Sequence, residues 1–249
     1  KTTGGVPGVP SGSAPAVTVS PPRPPRRDID DWLKTETGQP KLDAFFDKIK
    51  DIHGVPDEAR PVRIQLGGQK RGALGHYDSG TRTIALKKSL IGKDSDKAVS
   101  TLLHEIGHAV DAQFWRNSLP GQGWYFATQR TRQISDMGQL MNVIKESRAI
   151  QNLFDVIDAI DSKTYGIVHG IDTRSVSRKF VADYLLSKEE VFARAYAQWA
   201  AGKLGPSVVS EVVRGLGDDE YRYAQWGEND FAPIAAAFDD LFTRNGWLP

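Results

Sequence analysis

The sequence predicts an α+β fold, with a small sheet first and a mostly helical C-terminal part. Three observations carry this. Runs with alternating apolar residues crowd between residues 60 and 86. Helical periodicity dominates from residue 96 onward. The clearest of these helices contains the run His104-Glu105-Ile106-Gly107-His108.

Taken in order, the domain is expected to begin near Asp28. DIDDWLK has the look of a helix start, and in KLDAFFDKIKD (41–51) Leu42, Phe45, Phe46 and Ile49 recur at helical spacing. RPVRIQL (60–66) alternates Val62, Ile64 and Leu66, as a strand does. ALGHYD and TRTIAL are two further β runs, and Ser79-Gly80 between them suggests a hairpin turn. DKAVSTLLHEIGHAVDAQF has no proline and good helix formers throughout. A long helical tract is expected over roughly 127–161, where Ile134, Met137, Leu140, Met141 and Ile144 have the spacing of packed scaffold rather than of a lid or a partner surface. A looser polar stretch with Gly166 and Gly170 follows. Helices are then expected at 174–186, 187–203, 206–215 and 230–243.

Charge divides the chain. The 249 residues carry a net +1, but residues 1–27 hold Lys1, Arg23, Arg26 and Arg27 and no acid, with 7 of the 14 prolines. That leaves 28 of the 32 basic residues and all 31 acids for 28–249, a net −3. The segment 1–27 has too few large apolar residues to offset the entropy of ordering, so it is expected to be a disordered, Pro-rich, basic linker to other domains of a parent polypeptide. Residues 28–249 are expected to form one domain. The absence of cysteine excludes disulfides, thiol nucleophiles and cysteine-ligated metal. No stretch approaches the roughly 20 apolar residues of a membrane span. Outside the tail the basic residues are dispersed among acids, and the six tryptophans are scattered, so no nucleic-acid surface is evident.

The motif carries chemistry. His104 and His108 are four apart on a helix, so both imidazoles project from one face and can meet one ion. Glu105 lies on an adjacent part of the surface, where it can take a proton from a water whose pKa zinc lowers to about 7. This is the HExxH signature. Leu102, Leu103, Ile106, Ala109 and Val110 mark the helix as buried, where unpaired histidine and glutamate would be costly.

A third protein ligand is needed. Asp111 is on the same face, and its position favours accepting a hydrogen bond from a ligand imidazole. His76 and His169 are isolated. The strongest candidate is Glu190 in SKEEVFARAYAQWA. Phe192, Ala195, Tyr196 and Trp199 form a core stripe there, whereas Glu190 lies above Ala193 and Ala197. Those small side chains would let this helix approach the motif helix at Gly107. A competing explanation is a capping box, in which Glu190 reaches back to the Ser187 amide. Glu189, about 100° away, reads as a solvated acid at the helix start.

HEIGHAVD followed downstream by EEVFARAY resembles the catalytic domain of the anthrax lethal-factor-like metallopeptidases, a zincin family of the gluzincin type. The likeness covers about 30 residues, and more weakly the TRTIALKK run. It implies a zincin-like fold, a small sheet with an edge strand over the HExxH helix. It implies one zinc per chain held by His104, His108 and Glu190, with Glu105 as general base. A tyrosine shortly before the third ligand stabilises the oxyanion in that family. Tyr184 precedes Glu190 by six residues, one off the expected spacing, with Tyr165 as the fallback. The 82 positions between His108 and Glu190 also exceed the family pattern. By the same likeness Thr83, Ile84, Ala85 and Leu86 would form the edge strand that binds an extended substrate, with Lys87 and Lys88 biasing the choice. The implied function is a zinc endopeptidase acting on protein or peptide, as an effector domain of a secreted or injected polypeptide. The alternative is a zincin-fold binding module with little turnover.

Overall fold

The computed structural model describes residues 26–35, 49, 52–57, 59–93, 95–118, 125–215 and 225–248. Most of the N-terminal tail, most of the helix expected over 41–51, and Trp124 lie outside these. Of the 41–51 run, Ile49 is described; it is helical and buried.

The chain enters through a short strand β1 (Arg26–Asp28), one helical turn α1 (Ile29–Trp32) and β2 (Leu33–Thr35). Strand β3 (Gly54–Pro56) pairs antiparallel with β1. Strands β4 (Val62–Leu66), β5 (Gly75–Asp78) and β6 (Thr83–Leu86) join β2 in a four-stranded sheet of order β2-β4-β6-β5. The first three strands of that order run parallel and β5 runs antiparallel to β6. In β4 the alternation is plain: Val62 and Ile64 are buried and Arg63 between them is exposed.

One sequence expectation changes here, and the hairpin expected at Ser79-Gly80 forms. Strand β6 is not the sheet edge. Its residues Thr83, Ile84, Ala85 and Leu86 pair with β4 on one side and β5 on the other, so their backbone groups are already used. Among the described residues, the edge on this side is β5. The connection from β5 to β6 spans Ser79 to Arg82, and the left-handed residue in it is Arg82 (φ 54°) rather than Gly80. The Asp78 carboxylate accepts the Thr81 amide at 2.8 Å and closes the turn.

Helices fill the rest. After α2 (Lys88–Lys93) comes the long helix α3 (Ser95–Ser118), which carries the motif. Leu102, Leu103, Ile106, Ala109, Val110, Ala112 and Phe114 are all buried, so α3 is covered on several sides and forms the centre of the molecule. A 3-10 turn (Ala127–Arg130), α4 (Ser135–Glu146) and α5 (Arg148–Asp161) occupy the expected tract, broken at Ser147 rather than continuous. Met137, Leu140 and Ile144 are buried, so the tract is packed scaffold. The polar stretch holds a hairpin of β7 (Ile167–Val168) and β8 (Ile171–Asp172). Of the helix expected over 174–186, residues 178–185 are helical, with Phe180–Leu185 a π-helical turn. The last helices are α6 (Lys188–Leu204), α7 (Pro206–Gly215) and α8 (Glu228–Arg244). No helix among the described residues is long and apolar enough to cross a membrane.

The core between α3, α6 and α8 is aromatic. Phe114 stacks on Trp247 at 4.3 Å, and Trp199 packs on Phe242 at 4.7 Å. Trp32, Trp115, Trp199, Trp226 and Trp247 are all buried. His53 stacks on Phe242 within this cluster. Its Nδ1 donates to the Gly54 carbonyl at 2.8 Å, which leaves Nε2 to accept from the Tyr196 hydroxyl at 2.8 Å. Burial pushes the Tyr196 phenol far up, so it remains a donor.

Candidate metal centre

Helix α3 brings His104 and His108 together as their spacing requires; the rings are 4.8 Å apart and perpendicular. Helix α6 supplies Glu190 from the opposite side. Its Oε2 lies 3.2 Å from His104 Nε2 and its Oε1 lies 3.5 Å from His108 Nε2. Two ligand atoms bound to one zinc at tetrahedral angles stand about 3.3 Å apart, given bonds of roughly 2.0–2.1 Å. All three ligand atoms fall within 4.8 Å of one another, and this is the only such His and carboxylate group among the described residues. Glu190 Oε2 is buried without a hydrogen bond, as is Nδ1 of each histidine. A metal would meet the Glu190 oxygen and both Nε2 atoms. The triad matches the gluzincin metal-binding geometry.

No known family model, no curated protein and no solved structure matches the chain.

Local sequence explains how the two helices come so close. A Cβ placed on Gly107 would lie 2.8 Å from Ala193 Cα and 3.1 Å from its carbonyl oxygen. Ala193 thus packs on the gap between the two histidines. The Tyr196 ring closes the same gap, its Cδ1 3.2 Å from that Cβ position, and Phe192, Ala195 and Trp199 are buried as well. Half of the expected capping box forms: Ser187 Oγ accepts the Glu190 amide at 3.4 Å. The Glu190 carboxylate goes to the histidines instead, and the Ser187 amide donates to Tyr184 O at 3.1 Å.

Glu105 is buried and faces the same cleft, a groove of about 760 Å³. Gly75 on β5 makes room for it: a Cβ there would meet Glu105 Oε1 at 2.8 Å and Thr101 Cγ2 at 2.7 Å. This role was missed in the sequence, although an isolated glycine within a strand run signals close approach. Tyr184 lines the cleft, whereas Tyr165 is exposed elsewhere. His76, on β5, lines the cleft without joining the triad. His169 is exposed and pairs with Asp155 at 2.7 Å.

Asp111 departs from expectation. Its carboxylate accepts the Thr128 amide at 3.0 Å and the Thr128 hydroxyl at 2.6 Å, and no ligand imidazole. The competing donors come from the 3-10 turn packed against α3. Burial pushes the Asp111 carboxyl up to about 7, against the pull of those two bonds. Asp111 thereby fastens that turn, which places Phe126 against the His108 ring at 5.9 Å. Glu189 sits in the first turn of α6 as expected, partly exposed on the rim, where it also accepts the Gln129 carboxamide from the same 3-10 turn.

The charges of the triad are coupled. Burial pushes the His108 imidazole down, but the adjacent Glu190 carboxylate outweighs it and holds the pKa above the ordinary 6.5. Burial pushes Glu190 up, and the two imidazoles together pull it well below the ordinary 4.5. In metal-free protein the stabilisation from His108 is fully present below 6.5 and is lost as pH rises through its raised folded value. The stabilisation from Glu190 is present above 4.5 and is lost as pH falls through its depressed folded value. Zinc requires neutral imidazole, so binding displaces the His108 proton. Zinc affinity is expected to fall by about tenfold per pH unit below that raised pKa. Competition against a chromophoric chelator between about pH 8 and pH 6 measures this. A flat profile would show that no proton is displaced.

Proposed function

We propose that the chain is a zinc-dependent endopeptidase acting on extended protein segments. One observation carries the reading: a His, His, Glu triad at zinc-ligand separations shares a cleft with a buried Glu105 and an open sheet edge. Zinc held by His104, His108 and Glu190 would supply a Lewis acid and a water of lowered pKa. The residues of the chain do the rest. An extended substrate adds to β5 as a further antiparallel or parallel strand, using backbone groups that no described strand takes. That contact aligns the scissile carbonyl along the cleft. Glu105 accepts the proton of the attacking water and passes it to the leaving amine. Tyr184, from the π-helical turn, donates a hydrogen bond to the oxyanion. Phe126 forms part of the wall beside His108.

The test is a digest of a denatured-protein peptide library by zinc-loaded protein, with new N-termini mapped. Internal cleavage that needs stoichiometric zinc is expected. Stoichiometric zinc with no new termini would replace this reading with that of a binding module.

A further inference from the structure

We propose that Arg194 is a positioning residue for Tyr184, set on the same helical turn as the metal ligand Glu190. This rests on the proposed peptidase reading. Arg194 follows Glu190 by four positions on α6, so the two side chains share a face. It is only 2% exposed. A guanidinium in so dry a place is costly unless its donors are used. Its Nη2 donates to the main-chain carbonyl of Leu185.

That carbonyl belongs to the last residue of the π-helical turn Phe180–Leu185. Carbonyls at a helix end have no partner within the helix, and Leu185 is too buried for water to serve. The turn itself is wide: the Leu186 amide donates to Val181 O, five residues back, at 2.9 Å. Such turns are rare and persist where something holds them. Here neighbouring residues meet opposite demands. Leu185 turns into the core, whereas Tyr184 remains 37% exposed and lines the metal cleft. Phe180 stacks on the Tyr184 ring at 5.7 Å. Arg194 thus ties the turn that carries Tyr184 to the helix that carries Glu190, and sets the distance between oxyanion donor and metal. The contact to Leu185 O uses one guanidinium N–H, so a lysine ammonium can replace it in part.

The test uses full-length chain carrying 3-fluorotyrosine, with the Tyr184 resonance assigned as the one that Tyr184→Phe removes. Arg194→Met is expected to shift or broaden that resonance in both metal-free and zinc-loaded protein while zinc stoichiometry holds. With a cleaved peptide from the library, Arg194→Met is expected to lower kcat on the order of tenfold with KM little changed. In the Tyr184→Phe background the same substitution should cost less than about twofold, because the group it positions is gone. Arg194→Lys should fall between wild type and Arg194→Met, and serves in place of Arg194→Met if that variant does not fold. An unmoved Tyr184 resonance, or an equal kcat loss in both backgrounds, overturns the proposal. A moved resonance with Tyr184→Phe fully active would retain the clamp and remove Tyr184 from the chemistry.

Discussion

With zinc bound, Glu105→Gln is expected to lower kcat/KM by about 10³-fold and leave the zinc content at one per chain. The size of the loss follows from the role. General-base catalysis contributes roughly 10²–10⁴-fold, and a carboxamide of the same shape cannot take a proton at neutral pH. Retention of zinc follows from geometry, because the ligand atoms are those of His104, His108 and Glu190 and Glu105 is not among them. Glutamine also preserves the packing against Gly75, where the carboxylate and β5 leave no spare space. Zinc by elemental analysis and peptide cleavage on the same sample decide the matter. A variant that keeps a tenth or more of the activity would remove Glu105 from proton transfer. A variant that loses its zinc would make Glu105 a ligand.

Residues close in sequence made much of this site legible. The i, i+4 spacing of His104 and His108 is a property of one helix, so it needs no knowledge of the fold. Glu190 was legible for a related reason: Ala193 and Ala197 beneath it mark a face meant for close approach, and Gly107 is the matching gap. What escaped depends on contacts between distant segments. Strand β6 precedes the motif helix in sequence, yet hydrogen bonding places it between β4 and β5, and the edge falls to β5. Thr128 takes the Asp111 carboxylate from 17 positions away. Nothing in the periodicity of 127–161 announces the break at Ser147. It is stabilised from outside, by the Asp230 carboxylate accepting the Arg148 and Ala149 amides at 2.9 Å and by Trp226 donating to Ser147 Oγ at 2.8 Å. The π-helical turn has no sequence signature either, since its carbonyl acceptor bond to Arg194 spans two elements.

Gly107→Ala is expected to destabilise the protein by about 2 kcal/mol and to weaken zinc binding by tenfold or more, about 1.4 kcal/mol. The added methyl meets backbone, Ala193 Cα at 2.8 Å and its carbonyl oxygen at 3.1 Å, as well as Tyr196 Cδ1 at 3.2 Å. Neither α3 nor α6 can yield by rotating a side chain, so the helices must separate. Gly107 lies between the two histidines, and Ala193 lies one turn from Glu190. Separation at this point therefore pulls the carboxylate away from the imidazoles, and zinc ligation tolerates only about 0.2 Å. Helix propensity works in the opposite direction, since alanine is better than glycine by up to about 1 kcal/mol. Gly202→Ala, on the same α6 with nothing within 4 Å, isolates that term and should be neutral or stabilising. Thermal melts and chelator competition on the two variants separate propensity from packing. If Gly107→Ala matches wild type in both, the close approach of α3 and α6 is not what holds the triad together. If its zinc affinity falls further than its melting temperature predicts, the approach of the two helices sets the metal geometry directly.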